Sequence, residues 1–525
     1  MSQVERKPTP PLHEEIEDKA SINDISKGVA IANKQGLSAE LAVAIAGTNI
    51  DPWSRNSFKL YMAIFCSVCC AYANGYDGSL MTALNAMKPF QKQFNIGTTG
   101  PLVSVMFSLY SVGNFIGSTF AAVITDKFGR RKAMASGACV IIVGSIIGAT
   151  AKHIAQFMVA RFILGFGISI MSVSSPAYSM EWRGRCTGIY NCGWYAGAIP
   201  SAAVTFGTNY LASNLSWQIP VVLQCLACTV VLCLFPFIPE SPRYLMAQGR
   251  VEEVHAFLTK YHGGGDANAP LVLLELEEMQ ASISTDGMDK RWWDYSGLLA
   301  TRPARWRTLQ VAMMAVFGHW SGNGLAYFAT TIYKNIGVTT VTAQLGYNLL
   351  YSSMSAVGAL TGALLTDHMP RRYVLSIGSL VLSVILGVFT GLNAIITGDL
   401  KAGRAIDPSL GRGAIAVYVL FGISCAFVYT PLQAVVTVEA LSTPMRAKGI
   451  ALSNIITQAI GFINLFAGPI ALASIGYRYI FVFVFWDAFE AVCWWFFGVE
   501  ARGRSLEELD WIYEQPNPVK ASKSI

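Results

Sequence analysis

Apolar runs of about 20 residues, the length a helix needs to cross the hydrocarbon core of a bilayer, recur along the chain from residue 58 onward. Six fall at 58–85, 101–124, 133–151, 156–178, 187–210 and 218–238. A polar stretch, 239–308, intervenes, and six more follow at 309–333, 346–366, 373–397, 413–438, 449–471 and 477–498. The pattern predicts an all-α membrane protein with twelve transmembrane helices in two six-helix halves, 58–238 and 309–498. The linker 239–308 and the polar tails 1–57 and 499–525 then lie in the cytoplasm. The first tail, with Pro8-Thr-Pro-Pro11 and an acidic run at Glu14, Glu15, Glu17 and Asp18, reads as disordered. It shows no basic segment followed by a short apolar core, so the first membrane helix is expected to direct insertion. In the linker, 250–261 and 271–279 carry apolar residues at helical spacing beside charges. Gly263-Gly-Gly265 separates them. Short amphipathic helices on the cytoplasmic membrane face fit this better than a bare tether.

Composition supports the membrane assignment. Charged residues make up 13% of the chain, about half the roughly 25% of soluble proteins, and mean hydropathy is +0.44. The net charge of +6 does not point to nucleic acid, because the basic residues lie in short loops between spans. With both termini cytoplasmic, roughly 29 Lys and Arg fall inside and about 8 outside, as the positive-inside rule requires. Eleven cysteines sit almost entirely in apolar runs. Cys66, Cys69 and Cys70 share one predicted helix, and Cys225, Cys228 and Cys233 another. Without a second pair or nearby histidines these read as small apolar residues, not as a metal or redox motif. Asn214-Leu-Ser216 is a glycosylation sequon on the predicted outer side, in a loop short and close to the membrane. No nucleophile–base pair, metal set or phosphate loop is legible. An enzyme is therefore not expected, and neither a cofactor nor a bound metal.

Two charges lie inside spans. Asp77, in Tyr72-Ala-Asn-Gly-Tyr-Asp-Gly-Ser-Leu-Met81 of the first, costs roughly 2.5–3.5 kcal/mol to insert and so needs a protein or water environment and a partner. Gly75 and Gly78 allow a neighbouring backbone to come close. Asp77 lies about 12 Å, and Arg161 of the fourth span about 9 Å, from the outer ends of their helices at 1.5 Å per residue. Matching depths make them candidate partners. An arginine beside an acid favours its charged form, and changes in distance or hydration let the acid take and release a proton. The alternative is a permanent ion pair in a passive carrier.

Charge motifs repeat between the halves. Asp126-Lys-Phe-Gly-Arg130-Arg131 follows the second span and Asp367-His-Met-Pro-Arg371-Arg372 the eighth. Glu181 with Arg183 after the fourth echoes Glu439 with Arg446 after the tenth. Glu240 with Arg243 after the sixth echoes Glu500 with Arg504 after the twelfth. Three pairs in register indicate a duplicated six-helix unit with a site between parallel halves. Ion pairs among these residues are expected to act as a cytoplasmic gate at the interface between the halves, holding the outward-open state and breaking as the halves rock.

These residues, together with Gly75-Tyr-Asp77, Ala160-Arg-Phe-Ile-Leu-Gly-Phe-Gly167, Pro239-Glu-Ser-Pro-Arg243, Tyr429-Thr-Pro-Leu-Gln433 and Arg504-Ser-Leu-Glu-Glu508, resemble the sugar porter family of the major facilitator superfamily over 58–510. Gly75–Thr82, Tyr190-Asn-Cys-Gly-Trp-Tyr195, Trp320-Ser-Gly-Asn323 and Pro431-Leu-Gln433 look most like its fungal lactose permease and cellodextrin transporter branch. The resemblance implies alternating access, with Asp77 and Arg161 at the positions where proton-coupled members carry an acid and an arginine. A sugar site needs amides for hydroxyls and aromatic faces for ring C–H surface. Asn191, Asn323 and Gln433 are the amide candidates, and Trp194, Tyr195, His319, Trp320 and Tyr327 the remaining ones. Each has a packing alternative. Asp487 and Glu490 in the last span receive no assignment.

Three departures bear on substrate and mechanism. Phe317 and Gly318 replace the seventh-helix Gln-Gln pair of hexose members, and His319 stands where the disaccharide branch has glutamine. Pro370 replaces a loop glycine. Glu181-Trp-Arg183 is five residues shorter than the equivalent Glu439–Arg446 segment. The leading reading is a monomeric plasma-membrane sugar/proton symporter carrying a disaccharide or oligosaccharide. A passive facilitator of hexose or another polyol-like solute is the near alternative. A non-transporting nutrient sensor is the alternative of another class, opposed by the roughly 25-residue tail after the last span.

Overall fold

The computed structural model describes residues 53–180, 185–286, 295–366, 368–404, 407–441, 445–502, 504 and 506–523. Glu181, Arg183 and Asp367 lie outside them, as do the first tail up to residue 52 and the shortened turn. Among the described residues every regular element is a helix. Ten helices are long and apolar enough to cross a membrane. They coincide with ten of the twelve predicted runs: Arg55–Leu84, Pro101–Phe128, Arg130–Ala149, Ile154–Met180, Leu215–Leu234, Val341–Leu365, Arg371–Lys401, Pro408–Ala440, Arg446–Ser474 and Tyr479–Phe497. The predicted fifth span is the helix Arg185–Thr208.

The seventh departs from expectation. The continuous run predicted over 309–333 is broken. A helix Arg302–Trp320, capped by the Thr301 hydroxyl on the Ala304 amide, stops at Ser321. A 3-10 segment Asn323–Phe328 and a short helix Ala329–Asn335 follow. The break rests on Gly322, which has φ 75° and lies so close to Phe421 that a Cβ would sit 2.8 Å from the ring. Both the left-handed backbone and the lack of space call for glycine.

By packing, the chain divides into Met1–Ala63 with Phe237–Lys290, and Ile64–Pro236 with Arg291–Ile525. In the first unit, the linker helices Val251–Tyr261 and Pro270–Asp286 stand where helical spacing places them, preceded by a third, Pro242–Ala247. Gly264 and Gly265, at φ 62° and 101°, turn the chain between the two longer helices. Val254, Leu258, Leu271 and Val272 are buried, His262 pairs with Glu275, and Asn56 Nδ2 donates to the Lys260 carbonyl at 3.1 Å.

In the second unit the second span packs along the fourth, the eighth along the tenth, and the ninth along the twelfth and tenth. The halves meet where the second span packs on the eleventh and the fifth on the eighth. A Cβ on Gly113 would lie 2.1 Å from the Phe162 carbonyl oxygen, and one on Gly165 2.1 Å from that of Tyr110. This reciprocal approach fixes the second and fourth spans in register and sets Tyr110 beside Arg161. Cys66, Cys69, Cys70 and Cys228 are buried free thiols, consistent with their reading as apolar filler.

Candidate functional site

The structure brings Asp77 and Arg161 together. Arg161 Nη1 donates to Asp77 Oδ1 at 2.6 Å, with residue exposures of 4% and 1%. Gln224 Nε2 donates to the same oxygen at 2.9 Å, whereas Asp77 Oδ2 has no hydrogen-bond partner among the described residues. The Arg161 guanidinium lies 4.7 Å from the centre of the Tyr110 ring, a cation–π contact that adds support away from water. Tyr110 in turn donates to Asn74 Oδ1 at 3.3 Å. Gln224 and Tyr110 were not singled out by sequence. A lone amide inside an apolar span was the available signal for Gln224, which sits where the sixth span divides into Leu215–Leu223 and Cys225–Leu234.

The fifth span closes on this group through glycine. A Cβ on Gly75 would lie 1.8 Å from the Trp194 carbonyl oxygen, and one on Gly78 3.3 Å from the Trp194 indole. Trp194 therefore covers the backbone on either side of Asp77 and stacks edge-on against Tyr195 at 4.9 Å. Tyr195 reaches across the halves to the Thr430 hydroxyl, 3.5 Å away. From the second half, Tyr327 lies within electrostatic reach of Asp77 and Arg161.

The other candidates divide. His319 Nδ1 is 3.4 Å from Gln433 Nε2, and Asn464 Nδ2 donates to the His319 carbonyl at 3.4 Å. These gather the seventh, tenth and eleventh spans around the break. Gly318 is buried against Gln433 and Tyr429: a Cβ there would lie 3.5 Å from Gln433 Nε2 and 3.8 Å from the Tyr429 ring, in ordinary contact. Trp320 instead stacks edge-on against Trp486 of the twelfth span, centroids 4.8 Å apart. Asn323 is exposed at the start of the 3-10 segment. Asn191 lies in the fifth helix, with its side chain outside the described set.

Hydrogen bonds join the halves near the end of the first span past Asp77. Thr330 Oγ1 donates to the Thr82 carbonyl at 3.1 Å, Thr82 Oγ1 to that of Ala326 at 3.4 Å, and Asn209 Nδ2 to Thr342 Oγ1 at 3.0 Å. Phe107 and Phe328 pack there at 5.5 Å. At the charged-loop ends the buried clusters lie within single halves: Ala121, Ala133 and Ile170 in the first, Leu298, Val311, Ala440 and Leu441 in the second.

The repeated charges correct one expectation. Arg371 Nη2 pairs with Glu439 at 2.7 Å, but both belong to the second half, so this contact does not bridge the halves. Glu500 accepts the backbone amides of Arg371 and Arg372 at 3.0 and 3.1 Å. It caps the ninth helix from a distance, satisfying two of its unpaired N–H groups at the positive end of the helix dipole. Arg372 donates to the Trp495 carbonyl, Arg504 Nη2 to that of Ser522 at 2.5 Å, and the Arg131 guanidinium sits 4.9 Å from the Phe235 ring. The reason is proximity: the ninth helix packs on both the tenth and the twelfth, which brings Glu439 and Glu500 within reach of its first residues. Asp126 and Arg130 flank the tight turn at Gly129, φ 92°, between the second and third spans. Glu240 accepts from the Ser241 amide at 3.0 Å, Arg243 lies in Pro242–Ala247, and the Arg446 side chain is outside the described set.

Comparison with known proteins agrees with this architecture. A family model described as Sugar (and other) transporter matches residues 59–513. A quinate permease of Neurospora terricola is 27% identical over 476 residues, covering 86% of this chain and 88% of the permease. A low-affinity glucose transporter of Saccharomyces cerevisiae is 24% identical over 476 residues, covering 86% and 82%. The proton:xylose symporter of E. coli, solved with 6-bromo-6-deoxy-D-glucose, superposes with a TM-score of 0.71 at 18% identity, over 87% of this chain and 100% of that one. With a match spanning nearly all the helices, the chain belongs to the Sugar (and other) transporter family: it is a multi-pass membrane transporter of the major facilitator fold, not an enzyme.

Proposed function

We propose that the protein is a plasma-membrane sugar/proton symporter, with Asp77 as the proton-carrying group and a disaccharide or oligosaccharide as cargo. The observation that carries the reading is the buried Asp77–Arg161 pair, 2.6 Å apart with one carboxylate oxygen left over. A carboxylate held by one arginine and one amide keeps an open lone pair for a proton. Lengthening the contact to Arg161 as the helices shift would favour its uptake. Tyr327 links the pair to the broken seventh helix, where His319, Gln433 and Asn464 supply polar groups for hydroxyls. The bonds near Thr82 and the separate clusters at the charged ends support an inward-facing state for this conformation.

Cargo larger than a hexose is favoured by Gly318, which places no side chain beside Gln433 and Tyr429, and by the resemblance of Gly75–Thr82 and Trp320–Asn323 to the lactose permease and cellodextrin branch. Quinate and glucose, named for the two relatives above, are the competing cargoes. A passive facilitator is the second reading, favoured by the completeness of the ion pair. Uptake of labelled lactose, cellobiose, glucose and quinate in yeast lacking its own sugar carriers, with and without a proton uncoupler, tests all of these. Uncoupler-sensitive accumulation of a disaccharide is expected. Non-accumulating uptake that ignores the uncoupler refutes symport, and uptake confined to glucose or quinate refutes the cargo.

A further inference from the structure

The twelfth span, Tyr479–Phe497, carries two acids at its middle, Asp487 and Glu490, both at 0% exposure. Three residues apart, they share one helix face, and it points into the second half. Glu490 Oε2 accepts the Tyr429 hydroxyl at 2.6 Å, and that hydroxyl lies 2.9 Å from Ser379 Oγ. Glu490 Oε1 and both Asp487 oxygens have no hydrogen-bond partner among the described residues. Ser321 Oγ, at the break of the seventh helix, is also fully buried and unpartnered. It adjoins Cys425, which itself neighbours Asp487.

No ion pair to either acid is present among the described residues. The groups facing them are Tyr429 and Cys425 from the tenth span, Ser379 from the ninth, and Trp486 and Cys493 from their own helix. Arg372, a nearby base, donates through Nη2 to the Trp495 carbonyl, five residues or about 7.5 Å beyond Glu490 along the helix, and its Nε and Nη1 have no hydrogen-bond partner among the described residues. Ser376 and Ser383 of the ninth span donate to the carbonyls of Ala491 and Val484, each at 2.8 Å, and so hold the two helices together around the acids.

Two adjacent carboxylates at mid-membrane without a basic partner cannot both stay charged at reasonable cost. Positive charge must come from a ligand. Hard metal cations take six to eight oxygens, but beyond the carboxylates the neighbours here are thiols, an indole, the engaged hydroxyls of Tyr429 and Ser379 and the single Ser321 hydroxyl, too few oxygens for such a shell. We propose that Asp487 and Glu490 form a proton-binding site in the second half, separate from Asp77–Arg161, which holds a proton between them at neutral pH. The Tyr429 and Ser379 hydroxyls connect that proton to the ninth and tenth spans, so its occupancy is coupled to their packing against the twelfth.

Infrared difference spectroscopy on the full-length protein in nanodiscs tests this without requiring a substrate. The protonated-carboxyl C=O stretch should be present at neutral pH, shift in deuterium oxide, diminish in Asp487→Asn and in Glu490→Gln, and persist in Asp77→Asn. Tyr429→Phe should move the Glu490 component to higher frequency by removing its hydrogen bond, which keeps the test open if an acid variant does not fold. A band unchanged in both acid variants and in Tyr429→Phe overturns the proposal. So does a band that disappears on adding sodium, which would mean that the pair holds a metal cation.

Discussion

Removing Arg161 alone from the Asp77–Arg161 pair should cost more than removing both members. Truncating one partner of a buried ion pair destabilises by about 3–5 kcal/mol, because the other is left charged without compensation. The two sides differ here. Asp77→Asn leaves an amide that still accepts from Gln224, and leaves Arg161 on the Tyr110 face, a contact worth up to about 2 kcal/mol when desolvated. Its cost should fall below the range, near 2 kcal/mol. Arg161→Met leaves Asp77 with the single Gln224 bond and an oxygen that already lacks one, so it should reach the full 3–5 kcal/mol. In the double variant no charge remains, and its cost should be smaller than that of Arg161→Met alone. Thermal unfolding of the purified protein in nanodiscs should rank the melting temperatures as wild type, Asp77→Asn, the double variant, then Arg161→Met. Additive losses, or a double variant below both singles, would refute the argument that burial makes the pair interdependent. In uptake assays Asp77→Asn should lose accumulation but retain exchange, and surviving accumulation would remove the proton role.

Gly75→Ala should abolish folded expression, because its Cβ would meet the Trp194 carbonyl at 1.8 Å, whereas Gly391→Ala, with open space around it, should express as wild type in a fluorescence size-exclusion assay. Glu500→Ala removes the remote cap of the ninth helix and should cost about 1 kcal/mol, as helix caps do, read as a lower melting temperature; Glu500→Gln should recover part of it. Arg307 contacts Asp510, donates to the Ala440 carbonyl at 3.1 Å and lies 4.3 Å from the Tyr513 ring centre, so Arg307→Ala should expose the tail helix Leu506–Glu514 to limited proteolysis. Burial pushes the Tyr513 hydroxyl up despite the opposing charge of Arg307. The undocked tyrosine ionises first, so docking should be steady below about pH 10 and weaken above it; Tyr513→Phe should remove that alkaline sensitivity.

Much of this architecture was legible because its signals are one-dimensional. Span length is set by bilayer thickness, and the depth of Asp77 and Arg161 follows from rise per residue, so their pairing was accessible from counting alone. The break at Ser321–Gly322 was not, because the polar residues His319, Ser321 and Asn323 around it read equally well as site residues of an unbroken helix, and Gly322 shows its role only through its positive φ and its closeness to Phe421. The charge repeats marked the correct helix ends but not the partners. Glu500 serves backbone amides instead of a guanidinium, a choice made by the approach of two helix ends. Gln224 looked like an isolated polar residue, and its role depends on the sixth span facing the first. Asp487 and Glu490 stood out in sequence, but only packing shows that neither forms an ion pair among the described residues.

The contacts between the ninth and twelfth spans also set an order of events during synthesis. Ser383 leaves the ribosome roughly 100 residues before Val484, an interval of about 5–20 s at typical elongation rates. Throughout that time the hydroxyls of Ser376 and Ser383 and the guanidinium of Arg372 have no acceptor from the twelfth helix, because it has not been made. The half-built second half must wait beside the insertion machinery or a chaperone until its last helix arrives. A premature stop codon just ahead of Tyr479 would therefore yield a chain with eleven inserted helices that never closes, and cellular quality control should remove it as fully as a chain cut far earlier.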